Sequence, residues 1–410
     1  MSKSATYSSL SERQLGHEAV VAGHICLDLI PTLLGRKIEF LPGKLVEAGA
    51  VVTATGGAVS NTGLSLHRLG ITTRLMGKIG DDLFGSAVRQ IIASHGQGLA
   101  DGMVVSPGEA TSYSIILSPP GSDRMFLHAT GCNATFNEND IDYNAVAAAR
   151  LFHFGYPPLM EQTFTQGGST LVSIFQNAKA AGVTTSLDFS MPDRSGPAGQ
   201  VDWRALLKKT LPFVDVCVPS IEELLLMLRP EEYQRLSAVV GEELIDLVSP
   251  ALMTSLGNEL LSLGAKICMI KAGHRGVYLR TASEVCLSKM GRAKPVSLAA
   301  WADRELWAPC FLVDVIGTTG SGDATIAGFL MGLLREMSPY QCMTAACAVG
   351  GCNVEAADAL GGVLSWEATS ARIENGWRRL LMNIDSPGWE WNERHAVWTG
   401  PFDALSPDAV

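Results

Sequence analysis

The sequence has no CxxC pair, no run of Lys or Arg, and no apolar stretch as long as the roughly 18 residues that a membrane span needs. Each absence closes a class of function. Nine Cys form an odd set without framework or zinc-ligand spacing, which argues for free thiols in a reducing cytoplasm. Without a basic stripe, and at a formal net charge of −10, the chain is not built to hold nucleic acid. An anionic ligand must then be held locally, by backbone N–H groups, a few cations or a metal. The first twenty residues lack the basic start and apolar core of a secretory signal. The Lys-containing phosphate loop GxxxxGK[ST] is missing, and no GxGxxG follows the first strand-like segment, where "GHICLD" stands instead.

What is present supports a large core. The 410 residues are 47% hydrophobic, enough for two or three domains or for one α/β unit with insertions. Residues 1–17 are polar and Ser-rich and read as a mobile tail. "EAVVAGHICLDLI" (18–30) reads as a buried strand, and 31–55 as an insertion of short strands. A helix is expected after "GG" at 56–57, a strand at 71–80, and a helix over 81–96 ended by Gly96. Strand-like pieces at 110–118 and 124–129 flank the turn "PPGSDR". From residue 150 the pattern alternates: strand 150–154, helix 165–181, strand 183–188, helix 202–210, strand 213–218, helix 220–228, strand 266–271 and a strand pair near 276–288. Such alternation predicts a parallel sheet covered by helices, with the early strand-rich pieces forming a separate small sheet. Cys342, Cys347 and Cys352, spaced by five, are scattered around a helix and read as buried small hydrophobes. The tail from 366 holds five of the eight Trp and reads as irregular and packed by aromatics.

The chemistry concentrates in "GTTGSGDATIAGFL" (317–330), where three glycines crowd around Asp323 at the start of an expected helix near Ser321. Free N–H groups at a helix start bind anions, and glycines let a phosphate approach the backbone. The amides of Gly320, Ser321, Gly322 and Asp323 are placed to converge on one oxygen-rich group. A carboxylate beside a bound phosphate repels it unless it has another task. Taking the proton from a hydroxyl that attacks the phosphate is such a task, and phosphoryl transfer demands positioning more than a strong base. Taken alone, the stretch also reads as a Gly-rich helix cap with an Asp in its first turn.

Together, "TGGAVSNTGLSLHRLG" and "VIGTTGSGDATIAGFL" resemble the two signatures of the ribokinase-like (PfkB) carbohydrate kinase family, in the family's order. "GKIGDDLFG", "GCN", "PSIEEL" and "KAGHRGVYL" lie between them and are similar to further family segments, so the resemblance covers about residues 18–363. It implies an α/β fold, a three-layer α/β/α sandwich with a mostly parallel central sheet and a small β-lid. The kinase domain would span 18–365, with lid insertions at about 31–55 and 108–130 and a Trp-rich extension over 366–410.

The implied reaction moves the γ-phosphate of ATP, with Mg²⁺, to a hydroxymethyl group of a sugar or nucleoside. Asp323 would be the base, and Gly320, Ser321 and Gly322 the anion hole. Asp28 and Asn61 would bind substrate hydroxyls, and Gly56 and Gly57 would form the hinge between lid and core. Without the family, Asn61 reads as a first-turn helix residue. Tyr113 and Asn133 are further substrate-side candidates, with Arg124 and His128 beside them in the lid. Ser220, Lys271, Gly273 and Asn353 fall on the ATP side, and Glu223 would hold Mg²⁺ through water. Two positions depart from the pattern. Ser220 replaces an Asn in "SIEE", which bears on the metal. Gly317 replaces an Asp, which argues against activation by a monovalent cation, and Asp314 is not placed to substitute. A nucleoside kinase is the nearest alternative. A non-catalytic sugar-binding relative is a second. A glycosidase of the same fold would not need the Gly-rich stretch. Open lid edges with apolar faces predict a homodimer through the lid.

Overall fold

A computed structural model describes residues 16–33, 41–118, 125–239, 241 and 243–404. Ten strands run side by side in its main sheet. From one edge to the other they are Glu390–Asn392, Val397–Thr399, Glu305–Ala308, Val277–Thr281, Ile267–Lys271, Val216–Cys217, Thr184–Leu187, Leu151–Gly155, Ala19–Gly23 and Thr73–Met76. The last six named are mutually parallel, and the first four continue the sheet with antiparallel pairings. Parallel strands need both faces covered, because their helical crossovers return on those faces. The sequence meets that need directly. In "AVVAG", Ala19 and Val21 pack into one apolar cluster, and Val20 and Ala22 into another. Helices such as Ala58–Arg68, Ser321–Leu334 and Pro339–Asn353 cover the first face. Ser169–Ala180, Ile221–Leu228 and Pro250–Ser262 cover the second. This is the helix-covered parallel sheet that the alternating pattern predicts, in the three-layer sandwich that the resemblance implies.

The helices Ser321–Leu334 and Pro339–Asn353 pack on each other through small residues. A Cβ at Gly328 would lie 2.6 Å from the Ala345 oxygen, and one at Gly332 would lie 2.9 Å from Cys342 Sγ. The close fit holds the body of the helix in the core, while its start at Gly320–Gly322 stays part-exposed. Cys342, Cys347 and Cys352 are buried along the second helix, and all nine Cys are free.

The small sheet has the order Ala48–Gly56, Cys26–Leu33, Tyr113–Leu117, Met125–Ala129. It forms the expected lid, except that residues 34–40 and 119–124 lie outside the described residues. The expected strand 18–30 is two strands. At Gly23 the backbone adopts φ +125°, and a Cβ there would meet the Gly155 oxygen at 2.4 Å. The chain leaves the main sheet at that point and enters the lid. The expected strand 71–80 likewise divides at Gly77, with Lys78–Gly80 pairing with Val104–Ser106.

Two further expectations are corrected. The second member of the pair near 276–288 is a short helix, Glu284–Leu287, following Ser283. The tail is not irregular throughout. Trp366–Glu374 is a helix capped by Ser365, and the hairpin Glu390–Asn392/Val397–Thr399 extends the main sheet. Trp389 packs edge-on against buried Trp307, their ring centroids 5.9 Å apart. The alternation in "WEWNERHAVWT" carried the strand signal, and the Trp content masked it.

Candidate active site

Ligands of open α/β sheets gather outside the C-terminal ends of the parallel strands, where the strand order reverses. Here the chain places its polar groups at those ends. His24 follows Ala19–Gly23, Tyr156 follows Leu151–Gly155, and Asp188 follows Thr184–Leu187. Ser220 lies just beyond Val216–Cys217, and Lys271 closes Ile267–Lys271.

The Gly-rich stretch meets these ends. Gly320 caps the helix Ser321–Leu334 in the left-handed region, φ 71°, with Ala359 packed where a Cβ would sit. Among the described residues the amides of Gly320, Gly322 and Asp323 make no backbone hydrogen bond, whereas that of Ser321 donates to Thr318 O at 3.3 Å. The expected set of four converging amides is therefore three, with Ser321 occupied in this state. Asp323, in the first turn, is 3% exposed and accepts three hydrogen bonds: Thr62 Oγ1 at 2.8 Å, Asn61 Nδ2 at 3.2 Å and Tyr156 OH at 2.7 Å. Its carboxylate thus joins the helix that begins after the di-glycine to the helix that begins after the Gly-rich stretch.

A cleft of about 360 Å³ opens beside it, lined by Tyr156, Asp188, Ser220, Glu223, Lys271, Gly273 and Gly320–Asp323. Lys271 Nζ donates to Asp188 Oδ1 at 2.7 Å. Burial pushes the Asp188 pKa up, with Glu223 and Asp323 adding repulsion while Lys271 pulls it back. Burial acts to lower Lys271, but Asp188, Glu223 and Asp323 outweigh it and raise its pKa. The ammonium is therefore held charged at the edge of the Gly-rich helix start. Ser220 and Glu223 form a reciprocal cap of the helix Ile221–Leu228. Glu223 Oε2 accepts the Ser220 amide at 2.7 Å, and Ser220 Oγ accepts the Glu223 amide at 3.3 Å. The substitution of Ser for Asn thus uses a short hydroxyl to cap the helix and leaves Glu223 facing the cleft.

The other side of Asp323 belongs to the lid. The register pairs Asp28 with Ser114, and Ser114 with His128, so these three share one face. Cys26 Sγ donates to Asp28 Oδ1 at 3.3 Å, and Ser114 Oγ and His128 Nδ1 share a hydrogen bond of 3.0 Å. Burial pushes Asp28 up to about 6, against the pull of its bonds from Cys26 and Ser114. Gly56 is required here, since a Cβ would lie 2.4 Å from Asp28 Oδ2. Gly57, at φ 88°, starts the helix Ala58–Arg68 directly over the His24 backbone. His24 is 2% exposed, and neither ring nitrogen has a partner. Its ring lies 5.2 Å from that of His128 and 6.1 Å from that of Tyr156. Burial, with His128 nearby, lowers its pKa to about 3, so the imidazole is neutral.

Of the residues expected at the site, Asp323, Gly320, Ser321, Gly322, Asn61, Asp28, Gly56, Gly57, Ser220, Glu223, Lys271 and Gly273 are brought together. Three others are not. Tyr113 pairs with Leu27, one residue out of phase with Asp28, so it faces Phe84 on the opposite side of the lid. Asn133 is fully buried, and its amide bonds both backbone groups of Ile25. Asn353 is fully buried and donates to Ala359 O at 2.9 Å, pinning the segment that packs on Gly320 instead of lining the cleft. Arg124 lies outside the described residues. Tyr156, Asp188, Thr62 and His24 were not foreseen. The available signal was positional, because three of them are the first polar residue after a buried parallel strand.

An amide-rich helix start with a buried carboxylate, a fixed lysine across the cleft and a polar lid define a small-molecule phosphotransferase. The chain belongs to the pfkB family of carbohydrate kinases, whose model matches residues 17–364. It is an ATP-dependent sugar kinase, with an alcohol as phosphoryl acceptor. It is 25% identical to the probable chloroplastic fructokinase-6 of Arabidopsis thaliana over 341 residues, 83% of this chain and 76% of that protein. It is 24% identical to fructokinase-2 of Zea mays, covering 78% and 80%. Its fold is similar to that of Thermotoga maritima ribokinase, with TM-score 0.63 and 16% identity over 88% and 100% of the two chains. The Xylella fastidiosa fructokinase structure with bound ATP gives TM-score 0.63 and 20% identity over 87% and 98%.

Proposed function

We propose that the protein transfers the γ-phosphate of ATP to a sugar hydroxymethyl group, with Asp323 as the base. The observation that carries this reading is the position of Asp323. It is buried in the first turn of the Gly-rich helix start and bonded to Asn61 and Tyr156, beside which the di-glycine Gly56–Gly57 and His24 lead to Asp28 in the lid.

In this reading the sugar lies under the lid, with Asp28 accepting from its hydroxyls and Asn61 and His24 contacting it. One oxygen of Asp323 exchanges an internal donor for the attacking hydroxyl and takes its proton. The sugar oxygen bonds to the γ-phosphorus as the bond to the β-phosphate oxygen breaks, and ADP leaves. The amides of Gly320, Gly322 and Asp323 hold the moving phosphoryl group, joined by Ser321 when it releases Thr318. Lys271 neutralises phosphate charge, and Gly273 and Ser220 border the nucleotide.

Among the described residues no cluster of three acidic, His or Cys side chains forms a metal cage. The cleft-lining carboxylates Asp188 and Glu223 nevertheless suit Mg²⁺, which favours one or two carboxylates together with substrate phosphates. They would hold it through water, and the ion would supply charge neutralisation on the phosphates.

Nine free thiols favour a reducing cytoplasmic setting. Val51, Val52, Met125, Phe126 and Leu127 are exposed on the two edge strands of the lid, which favours pairing of two copies there. Sedimentation at micromolar concentration is expected to give a dimer that Phe126→Asp weakens, and a monomeric wild type excludes it.

The defining experiment follows ADP release from ATP with a panel of sugars and nucleosides. Fructose is tested first, because the curated relatives above are fructokinases. Turnover with a sugar, lost by about 10²-fold or more in Asp323→Asn, supports the reading. Turnover with nucleosides alone replaces the acceptor, and full activity in Asp323→Asn removes Asp323 from its role.

A further inference from the structure

Residues 309–320, which lead into the Gly-rich helix start, contain no helix and only a single bridge, at Phe311. Leu312, Val315 and Ile316 are exposed along it. Such a loop has little internal support, yet its end must place amides to within about 0.5 Å for transfer. Support comes from two outside segments.

The first is the C-terminal segment that lies beyond the family match. The Leu312 amide donates to Arg378 O at 2.8 Å, and Leu312 O accepts Trp377 Nε1 at 2.8 Å. The Leu380 amide donates to Cys310 O at 2.8 Å, and Arg379 Nη1 to Pro309 O at 2.6 Å. The Phe311 ring stacks on Trp377, with centroids 4.4 Å apart, and also receives the Arg379 guanidinium at 4.4 Å. The second segment is 354–359. Val354 O accepts the amides of Ile316 at 2.8 Å and Gly317 at 3.2 Å. Ala356, Ala357 and Ala359 press on Gly317 and Gly320.

Arg372, in the helix Trp366–Glu374, touches both supports. Its guanidinium makes a bidentate pair with Glu355, at 2.5 and 2.7 Å, next to the Val354 carbonyl. Its Cζ also lies 3.6 Å from the centroid of the Trp377 ring. Two parallel N–H···O bonds and a planar cation on an indole fix a geometry that a lysine cannot reproduce.

We propose that Arg372 is a positioning residue for phosphoryl transfer, clamping the two segments that set the anion-binding helix start. The C-terminal segment is then part of the catalytic machinery and not a cover on the core. The kinetic part of this proposal rests on the kinase reading, but the clamp itself does not.

The test uses the full chain with Arg372→Ala, Arg372→Lys and Glu355→Ala. It combines steady-state kinetics with amide hydrogen exchange over 312–323. Arg372→Ala is expected to lower kcat about tenfold or more while leaving the sugar KM within about twofold. Exchange over 316–323 is expected to rise. Arg372→Lys is expected to recover only part of both effects. Glu355→Ala should move both readouts the same way, and adding it to Arg372→Ala should change little more. Should Arg372→Ala fail to fold, Glu355→Ala decides the question, since the Trp377 stack and its helix remain. Wild-type kcat and unchanged exchange in the folded variants overturn the clamp. If the wild type turns over no acceptor, the kinase reading fails and the exchange measurement alone judges the clamp.

Discussion

The two sides of Asp323 are built from different chemistry. On the side of the cleft the groups are ionisable and already paired: Lys271 with Asp188, and Glu223 with its own helix start. Towards the lid they are short, neutral or unpaired: His24, Cys26, Ser114 and His128 around Asp28. Burial and Asp28 hold the Cys26 thiol well above its ordinary pKa, so it stays protonated. Fixed charge suits a polyphosphate, for which strength and placement of the field matter. Uncharged donors and acceptors suit a polyol, for which the positions of hydroxyls decide the fit, and an unmatched buried polar group costs about 1–3 kcal/mol.

The comparison breaks most severely at its midpoint. Asp323→Asn keeps the shape and removes the proposed proton acceptor, and kcat is expected to fall by about 10²–10⁴-fold with the KM for ATP little changed.

The next effect separates the two sides by pH. The folded pKa of Asp28, about 6, lies above its ordinary value, so the folded site takes up a proton between about pH 4 and 6. Sugar hydroxyls donate to the ionised form, so kcat/KM for the sugar should rise as pH passes 6 and then level off. Asp28→Asn should raise the sugar KM by about tenfold or more and abolish that step while sparing the KM for ATP. A step that persists in Asp28→Asn assigns the titration elsewhere.

The smallest effect concerns Gly317. Replacing potassium by a large organic cation at constant ionic strength should change kcat by less than about twofold. A larger loss shows that the loop recruits a cation without the Asp at that position.

Most of the surroundings of Asp323 were legible because they lie in contiguous motifs. "TTGSGD" places its own amides and carboxylate on one helix turn, and the di-glycine before Asn61 does the same for a second helix. The parallel sheet was legible from the alternation of strands and helices. Tyr156 and Asp188 were not, because each stands alone at a strand end and acquires its role from a partner more than 80 residues away. Asn133 lies in the one-turn helix Gly131–Thr135, and its amide is taken up by the Ile25 backbone. Tyr113 lies away from Asp28 for a different reason. Proximity to the lid in sequence does not say which face of a strand a side chain takes, and a shift of one residue reverses it. The joining of the C-terminal hairpin to the sheet edge required knowing that Glu305–Ala308 left that edge open.

Tyr156 sits in the left-handed region, φ 67° and ψ 42°, immediately before Pro157–Pro158, and from that strained position its hydroxyl reaches Asp323. In the resting protein the carboxylate is thus satisfied by three donors. A sugar anchored by Asp28 can displace one of them, whereas a solitary water brings no such anchorage. In the proposed reaction the consequence is thrift: nucleotide bound without a sugar would be spared from idle hydrolysis. Tyr156→Phe should therefore raise ADP release in the absence of sugar by several-fold, roughly the 1 kcal/mol of one hydrogen bond, and an unchanged background rate would show that the lid alone excludes water.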